Sequence, residues 1–385
     1  MSGNFADAFR RFQAGEQQSE ATYNEVVRLM HDLANDGFET TIYSYMTPEA
    51  KIEEPLQNVK IVSLGARSWD RHDILLDALQ QDRSTALIPH FANRELIKAC
   101  AAQNRNLMIG MASSYNRRNP KAAIERFKLK SVLSDPRIDL VMNHCLPSTE
   151  KLAQYGVPRE KLVPWNVPLP FSPENFPAKQ LREGRPLTMA YAGSISEPKG
   201  VGDIISSIAI LKSRGIEVEL RCAGKGNIDS MRNFAAEKGV GDLVQFLGVI
   251  GNRDVVQLFY QSDLVCVPSR HTFPEGFPLV MFEAIASRTP IVCSDHPMFQ
   301  PILGHGARAE MFKAENPRSL AKAVERAVES PEHYAALSRN ADASWRALGG
   351  TADWRTLINE WVRNGPESEW IQAHTLAAMP REFAA

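Results

Sequence analysis

The sequence has little of what marks a disulfide-stabilised or redox-active protein. Its 385 residues include five cysteines, an odd number, and no two of them form a C-x-x-C pair. This pattern favours buried, reduced thiols in a cytoplasmic protein. The five are Cys100, Cys145, Cys222, Cys266 and Cys293.

Neither an excess of one charge nor a long apolar run is present. Lys and Arg number 44 against 45 Asp and Glu, a net charge of −1, so no general attraction to nucleic acid is expected. No apolar run approaches the about 20 residues that span a bilayer, and no signal peptide is expected. Hydrophobic residues make up 44% and charged residues 23%, as in soluble globular proteins. The length exceeds one ordinary core, so two domains are expected.

Short apolar runs alternate with helical stretches in both halves of the chain. This alternation predicts an α/β protein with parallel sheets that carry helices on both faces. The predicted strands are 39–44, 59–64, 85–89, 106–112, 138–142, 187–192, 217–222, 244–247, 264–267 and 291–293. The start differs, because Phe5, Phe9 and Phe12 have helical spacing.

A proline-rich segment separates the two halves. Residues 163–186 contain six prolines, and such segments form semi-rigid connectors rather than helices or strands. We therefore predict a first domain at 1–165, a linker at 166–186, a second domain at 187–350, and a C-terminal helix and tail at 351–385.

Residues 268–295 carry the most informative pattern. Apolar runs on either side predict buried strands, and residues 278–286 predict a helix with Pro278 in its first turn. This helix is apolar all round, which predicts burial, yet Glu283 lies in its middle. A buried carboxylate is costly unless it is paired or hydrogen-bonded.

Glu275 lies eight positions earlier, in the loop that feeds this helix. Gly276 lets the backbone approach a ligand, and the free N–H groups at the helix start suit an anion such as phosphate. The stretch predicts an anion site flanked by two carboxylates that accept hydrogen bonds from sugar hydroxyls. Alternatively, Glu283 pairs with a core arginine and Glu275 is a solvated loop residue. The joint pattern favours the site.

The residues from Glu275 to Glu283, EGFPLVMFE, resemble the paired-glutamate motif of the retaining group-1 (family 4) glycosyltransferases of GT-B fold. The residues that follow are similar too, except that Arg288 stands where the family usually has glycine. An αL helix end costs a non-glycine residue about 1 kcal/mol, so a different helix end is expected here.

The resemblance implies two Rossmann-like domains facing a cleft, with a nucleotide sugar bound mainly to the second and the last helix returning toward the first. It implies that Glu283 holds the ribose hydroxyls and Glu275 the sugar hydroxyls. It also implies transfer with retention at the anomeric carbon, with no metal site and no cofactor besides the nucleoside-diphosphate sugar donor.

Residues 191–200 resemble the first loop of the family's nucleotide domain, which supplies an Arg and a Lys to the donor diphosphate. Lys199 matches the lysine, whereas Ser194 stands at the arginine position, and Lys225 is a candidate to compensate. Val249 and Ile250 match the segment that lies against the base. The resemblance thus assigns Lys199 and Glu275 as catalytic residues and the following as donor-binding: Gly193, Ser194, Gly224, Lys225, Val249, Ile250, Gly276, Phe277, Pro278, Leu279 and Glu283.

The first half matches the family less well. The Gly15 loop lacks the strand that precedes it in the family, and it is either part of the cleft or a helix-capping turn. Where the family often has a histidine that contacts the donor sugar, residues 112–115 read ASSY. His90, at the end of the previous strand, is a candidate replacement, with a structural histidine as the alternative.

The segment from Arg117 to Leu133 has six basic residues against one acid, with Ile124, Phe127 and Val132 available for an apolar face. A basic amphipathic helix binds anionic lipid or an anionic acceptor, and a solvated charged face is the alternative. We therefore expect a cytoplasmic protein, at the inner membrane face if this helix docks.

The expected function is transfer of a sugar to a glycan, lipid-linked or small-molecule acceptor. Two alternatives stay open: a non-catalytic sugar-nucleotide-binding subunit of a glycan biosynthetic complex, or a nucleotide-sugar epimerase of the same fold. The departures at Ser194, Arg288 and the missing histidine motivate the binding subunit. No nucleic-acid partner is expected.

Overall fold

The computed structural model describes residues 4–16, 21–45, 47, 49–66, 68, 71–91, 93–112, 120–166, 169–182, 184–273, 275, 278–304, 308–348 and 352–379. The described residues up to 166 and from 352 onward form one compact unit, and those from 169 to 348 form a second.

The strands are β1 (Thr40–Ser44), β2 (Ala50–Leu56), β3 (Val59–Leu64), β4 (Ala86–Leu87), β5 (Asn106–Met111), β6 (Leu140–His144), β7 (Leu162–Asn166), β8 (Leu187–Ala192), β9 (Val218–Ala223), β10 (Val244–Gly248), β11 (Leu264–Val267), β12 (Ile291–Ser294), β13 (Ala309–Phe312) and β14 (Ala352–Asp353).

The α-helices are α1 (Phe5–Gln13), α2 (Ala21–Asn35), α3 (His72–Gln81), α4 (Arg94–Ala102), α5 (Pro120–Leu133), α6 (Leu146–Gln154), α7 (Val201–Ser213), α8 (Ile228–Glu237), α9 (Asn252–Gln261), α10 (Leu279–Ala286), α11 (Gln300–Leu303), α12 (Pro317–Ala327), α13 (Pro331–Arg339), α14 (Ala341–Leu348), α15 (Trp354–Asn364) and α16 (Glu369–Ala373).

The first unit begins with a helix, as the spacing of its phenylalanines predicts. Asn4 caps α1 by accepting a hydrogen bond from the Asp7 amide. Gly15, with φ +69°, lies in the turn that ends the helix, and its amide donates to the Phe12 carbonyl. Gly15 therefore has the helix-capping role.

The main sheet of the first unit is parallel, with strand order β14-β7-β6-β5-β4. Alternate residues of its strands point to opposite faces. Leu107 and Ile109 pack with α4 and α6, whereas Met108 and Met142 pack with α1, α2 and α15. Helices therefore cover both faces, as expected for this fold class.

A smaller sheet of the first unit departs from the expected parallel pairing. β1 and β3 pair in parallel, but the edge strand β2 runs antiparallel to β3. Most of its side chains are exposed or half-buried, and it contains Pro55, which lacks the N–H that a central strand would need.

The second unit contains one parallel sheet of six strands, with order β10-β9-β8-β11-β12-β13. The chain enters at β8, moves outward through β9 and β10, and then returns to β11 on the other side of β8. The carboxyl ends of β8 and β11 therefore flank the point where strand order reverses, which is where open α/β sheets bind ligands.

Most of the segment assigned to a linker packs on the second unit. Phe171 contacts the core beside Val256 and Ala286. The Lys179 ammonium donates to the Tyr260 carbonyl at 2.9 Å and to Thr289 Oγ1 at 3.2 Å.

The ten predicted strands are all present, each with its ends within two residues of the predicted ones. The five cysteines are buried and form no disulfide bond, as predicted. Within the described ranges, no helix is both long and apolar enough to cross a bilayer.

Candidate functional site

The loops that follow β8 and β11 are in close contact where strand order reverses. Gly200 has φ +74°, and a Cβ there would lie 2.4 Å from the Pro268 carbonyl oxygen, so no side chain fits. The Arg270 amide donates to the Pro198 carbonyl at 2.9 Å. Its guanidinium also bonds both carboxylate oxygens of Asp203, at 3.1 and 3.2 Å. These contacts fix the two loops to each other.

The two predicted catalytic residues meet between these loops. The Lys199 ammonium donates to Glu275 Oε1, and Ser269 Oγ donates to the same oxygen at 2.6 Å. Lys199 Nζ also lies 4.1 Å from the centre of the Phe273 ring, within the range of a cation–π contact. Glu275 is only 5% exposed. Its buried carboxylate is paired with the Lys199 ammonium.

Glu283 is buried in α10 without such a partner. The neighbouring residues Met281, Phe282, Ala284 and Ile285 are buried, as the apolar pattern predicts. The Asn252 side-chain amide donates a long hydrogen bond to Glu283 Oε1 at 3.4 Å. Among the described residues no Lys, Arg or His nitrogen lies within 4.0 Å of this carboxylate, so the alternative of a core arginine partner is wrong for them. Burial raises the pKa of Glu283 to about 8.

The start of α10 differs slightly from the prediction. Pro278 is the N-cap, with extended backbone, and the helix begins at Leu279. Both residues are half-buried. Gly276 and Phe277 lie outside the described residues.

Glycines form the carboxyl ends of β8 and β9. Gly193 and Gly224 have φ +145° and +141°, and a Cβ on Gly224 would lie 1.8 Å from the Gly193 carbonyl oxygen. Ser194 and Lys225, next to these glycines, are exposed. The ends of β8 and β9 therefore lie in close contact, and the polar side chains of Ser194 and Lys225 beside them are open to solvent.

The loop after β10 adjoins the same edge of the sheet. The Gly224 amide donates to the Gly248 carbonyl at 2.7 Å. Val249 is 59% exposed, and Ile250 is half-buried. The described donor-binding candidates thus lie on the loops that follow β8, β9, β10 and β11 or, for Leu279 and Glu283, in helix α10.

Arg288 shows how the chain accommodates the departure from glycine. It keeps the αL conformation, with φ +54°, so the expectation of a different helix end is wrong. Its guanidinium forms two hydrogen bonds to the Asp342 carboxylate, at 2.9 and 2.6 Å, and one to the Pro173 carbonyl at 2.6 Å. These contacts offset the steric cost of a side chain at positive φ.

The first unit places His90 at the carboxyl end of its own sheet. The residue is exposed, and its ring lies 3.6 Å from where a Cβ on Gly110 of β5 would be. Residues 113–115 of the ASSY segment lie outside the described residues. His144, at the end of β6, was not predicted; its ring contacts Trp165 edge-on, with centroids 5.0 Å apart.

Helix α5 covers the described part of the predicted basic segment, and Arg117 and Arg118 lie outside the described residues. Val132 is half-buried and packs against the core, whereas Ile124 and Phe127 are 60% and 73% exposed. The three residues therefore do not form one apolar face, and that part of the prediction is wrong.

Sequence analysis missed the residues that support Glu275. They are Ser269, Arg270, His271 and Phe273 in its own loop, and Ser294, Asp295 and His296 after β12. Nothing local in the sequence links positions about 25 residues apart on different strands. The only available signal was the predicted parallel sheet, because parallel strands have their carboxyl ends at one edge.

Metal-ligating side chains do not cluster in the described part of the chain. No group of three or more His, Cys, Asp or Glu residues there could hold a metal ion.

The second unit is similar to known proteins. Residues 172–344 match the family described as glycosyl transferases group 1. The chain is 30% identical over 147 residues to a phosphatidyl-myo-inositol mannosyltransferase of Mycolicibacterium smegmatis, covering 37% of this chain and 36% of that protein. It is 28% identical over 183 residues to a glycogen synthase of Mycobacterium tuberculosis, covering 47% and 42%. The match thus spans less than half the length of these relatives.

Solved structures resemble nearly the whole chain. A sucrose-phosphate synthase from Thermosynechococcus elongatus aligns with a TM-score of 0.62 at 18% identity, covering 89% of this chain and 92% of that one. The Anabaena protein HepE, in complex with UDP and glucose, aligns with a TM-score of 0.59 at 14% identity, covering 90% and 96%. The protein therefore has the fold of the GT-B glycosyltransferases, and the part of its second unit at residues 172–344 is similar to the glycosyl transferases of group 1.

Proposed function

We propose that this protein is a retaining glycosyltransferase that moves a sugar from a nucleoside-diphosphate sugar to a glycan, lipid-linked or small-molecule acceptor without a metal ion. The observation that carries the proposal is the pairing of Lys199 with Glu275 at the point where strand order reverses. The same unit contains the buried Glu283, which has no cationic partner among the described residues. The names of similar proteins support the class of reaction, since they include a mannosyltransferase and a protein crystallised with UDP-glucose.

Glu283 suits the ribose of the donor. The residue is 5% exposed, and among the described residues its carboxylate accepts a single long hydrogen bond, from the Asn252 amide. Two vicinal hydroxyl groups would supply the hydrogen bonds that a desolvated carboxylate otherwise lacks. The exposed Val249, beyond Gly248, offers an apolar surface for the base.

Lys199 suits the diphosphate. During transfer the bond from the anomeric carbon to the diphosphate oxygen breaks, and its electrons leave with the diphosphate. The acceptor hydroxyl oxygen forms the new bond, and its proton passes to the departing diphosphate. A fixed ammonium beside that oxygen stabilises the growing negative charge, and the N-terminus of α10 adds a positive dipole end. Exposed Lys225 is a second cation on the same edge of the sheet.

Glu275 suits the sugar rather than the role of a nucleophile. Its Oε1 atom already accepts hydrogen bonds from Lys199 and Ser269, which lowers the nucleophilicity of the carboxylate. The glycosidase scheme with a carboxylate nucleophile and a separate carboxylic acid therefore fits poorly. Retention of the anomeric configuration then requires the acceptor to attack the same face of the sugar ring from which the diphosphate departs.

A donor panel tests the proposal. The protein is incubated with UDP-, GDP- and ADP-sugars, and the released nucleoside diphosphate is measured with and without added acceptors, with Glu275→Ala as the control. Slow donor hydrolysis that the substitution abolishes supports a transferase, and the configuration of a transferred sugar, read by NMR, tests retention. Activity that persists in EDTA supports metal independence.

The same panel tests the two alternatives. Thermal stabilisation by nucleotide without turnover, across a broad set of acceptors, would replace the proposal with the binding subunit. A changed sugar still attached to its nucleotide would replace it with the epimerase.

We also propose that α5 contacts an anionic membrane from the cytoplasmic side. Ile124 and Phe127 are exposed one turn apart, with exposed Lys128 and Lys130 beside them, a combination that binds anionic lipid surfaces. Sedimentation with vesicles of anionic lipid should carry the protein down, and Phe127→Ser with Lys128→Glu should release it. No sedimentation of the unmodified protein would contradict this contact.

A further inference from the structure

Three consecutive residues at the end of β12 hold the loop that carries Glu275. Ser294 Oγ donates to the Ser269 carbonyl at 2.6 Å. His271 Nε2 lies 2.8 Å from Asp295 Oδ1, and His296 Nε2 lies 3.1 Å from the Phe273 carbonyl oxygen. We call residues 294–296 the brace.

The hydrogen bonds of His296 fix which ring nitrogen carries its proton. The Met298 amide donates to His296 Nδ1 at 3.3 Å, so Nδ1 is an acceptor and the proton is on Nε2. That N–H then donates to the Phe273 carbonyl. The residue is 3% exposed, and burial lowers its pKa, which keeps the ring in this neutral form. Both ring nitrogens are therefore engaged by the backbone.

Phe273 connects the brace to both charged residues of the site. Its carbonyl oxygen also accepts a hydrogen bond from the Glu275 amide at 2.8 Å. Its ring lies 4.1 Å from Lys199 Nζ. A displacement of this one residue would therefore move the backbone of Glu275 and the surface on which Lys199 rests.

Ser294 provides a parallel connection. It bonds the carbonyl of Ser269, whose own hydroxyl donates to Glu275 Oε1. The side chain and the backbone of Glu275 are thus each held through one intermediate residue, and each intermediate is held by the brace.

We propose that His296 is a positioning residue for sugar transfer, acting through Phe273 to keep Glu275 and Lys199 in their reactive arrangement. This inference rests on the proposed function. His296 does not act on substrate itself, because its two nitrogens are occupied by backbone groups. Its contribution is to limit movement of a loop whose small displacements are costly to catalysis.

The structural part is tested by hydrogen–deuterium exchange of the full chain without ligand. The variants are His296→Leu, which removes both hydrogen bonds, and His296→Gln, whose amide N–H lies near the position of Nε2. Exchange in residues 269–275 should be faster in the Leu variant and close to the unmodified protein in the Gln variant, with β8 unchanged in both. Unchanged exchange in the Leu variant would overturn the inference.

His333→Leu is the matched control. His333 also bonds through Nε2, to Glu310 of the edge strand β13 at 3.0 Å. It should lower the melting temperature without changing exchange in residues 269–275. If it changes that exchange as His296→Leu does, the effect is general destabilisation and the inference fails.

The catalytic part is tested with the best donor of the panel. His296→Leu should lower kcat by about tenfold to a hundredfold and change the donor KM by less than about threefold, because the main donor contacts are elsewhere. His296→Gln should restore most of kcat. A kcat equal to the unmodified protein in the Leu variant, or no rescue by Gln, overturns this inference alone. An unmodified protein that neither binds nor turns over any donor overturns the proposed function as well.

Discussion

The loop that carries Glu275 and the helix that carries Glu283 treat two similar carboxylates in opposite ways. Glu275 receives an ammonium and a hydroxyl, and its loop is bonded to two neighbouring loops. Glu283 lies in an apolar helix and, within the described part of the chain, accepts one long hydrogen bond from an amide. Both are 5% exposed.

The difference shows how one motif can separate two tasks. A carboxylate that is already paired is held in a fixed position and can be aimed at a sugar ring. A carboxylate that lacks partners gains the most when a ligand supplies them. The predictions below test each side of this contrast, from the largest expected effect to the smallest.

Lys199→Ala should have the largest effect. It removes the cation beside the departing diphosphate and leaves Glu275 buried with only the Ser269 hydroxyl. We expect donor turnover to fall by roughly 100- to 1,000-fold, measured as nucleoside-diphosphate release. Lys225→Ala is the matched control on the same edge of the sheet and should cost less than about tenfold. Equal losses in the two variants would contradict the special place of Lys199.

Arg288 tests what holds the helix of Glu283. Arg288→Ala keeps a side chain at positive φ and loses the bonds to Asp342 and Pro173, so unfolding free energy should fall by about 2 kcal/mol. Arg288→Gly loses the same bonds but relieves about 1 kcal/mol of backbone strain. Urea denaturation should rank them unmodified, Gly, then Ala. A Gly variant less stable than the Ala variant would show that the strain is not relieved.

Glu283 should make nucleotide binding depend on pH. Its pKa of about 8 in the free protein means that it is protonated at pH 6.5. Ribose hydroxyls favour the ionised form of Glu283, so nucleotide binding releases a proton. Nucleotide affinity should therefore increase by up to about tenfold for each pH unit as the pH is raised toward 8. Titration calorimetry in buffers of different ionisation enthalpy measures this proton. Glu283→Gln should abolish both effects, and binding without proton release would contradict the ribose role.

The stability of the free protein should change with pH in the opposite sense. The folded-state pKa of Glu283 is raised from 4.5 to about 8, so its contribution is fully present at low pH and is lost as pH rises through this window. Glu283→Gln should therefore gain roughly 1–3 kcal/mol relative to the unmodified protein between pH 5 and pH 8. Parallel pH profiles in denaturation would contradict the raised pKa.

Ser194→Arg should have the smallest effect. The exposed Ser194 stands where the family supplies an arginine, and a guanidinium adds a forked contact to the diphosphate. Nucleoside-diphosphate binding should tighten by about threefold to tenfold. Ser194→Gln, similar in length but neutral, should leave affinity unchanged. Equal gains in both variants would point to packing rather than charge.

The sequence predicted elements correctly where a local pattern of apolar residues is enough to identify a buried helix or strand. The apolar residues around Glu283 predicted a buried helix. The ten strands were predicted from short apolar runs that alternate with helical stretches, a pattern that can be seen without knowing which strands pair. Strand β7 was missed because Pro164 and its neighbours resemble a connector. β14 was missed because two residues give no periodic pattern. Val132 was misplaced because the sequence did not show that the core of the first unit covers that side of α5.

The site was predictable only in part for a physical reason. Lys199 and Glu275 are 76 positions apart, and their pairing depends on which strands become neighbours. The resemblance to a known family assigned both residues to the donor site, whereas the residues of the brace match no familiar pattern. Contacts between loops from different strands arise from tertiary structure, so no local sequence pattern encodes them.

The first unit is completed by strand β14 and helix α15, which lie at the end of the chain, and this affects the order in which the units can fold during synthesis. β14 pairs with β7, and Trp354, Leu357 and Trp361 fill the core beside α1 and α2. The early part of the chain therefore leaves the ribosome with an open sheet edge and an unfilled core, and the whole second unit must be made before the missing pieces arrive. A truncated chain that ends near residue 350, released from the ribosome, should accordingly contain a protease-resistant second unit beside a protease-sensitive first one.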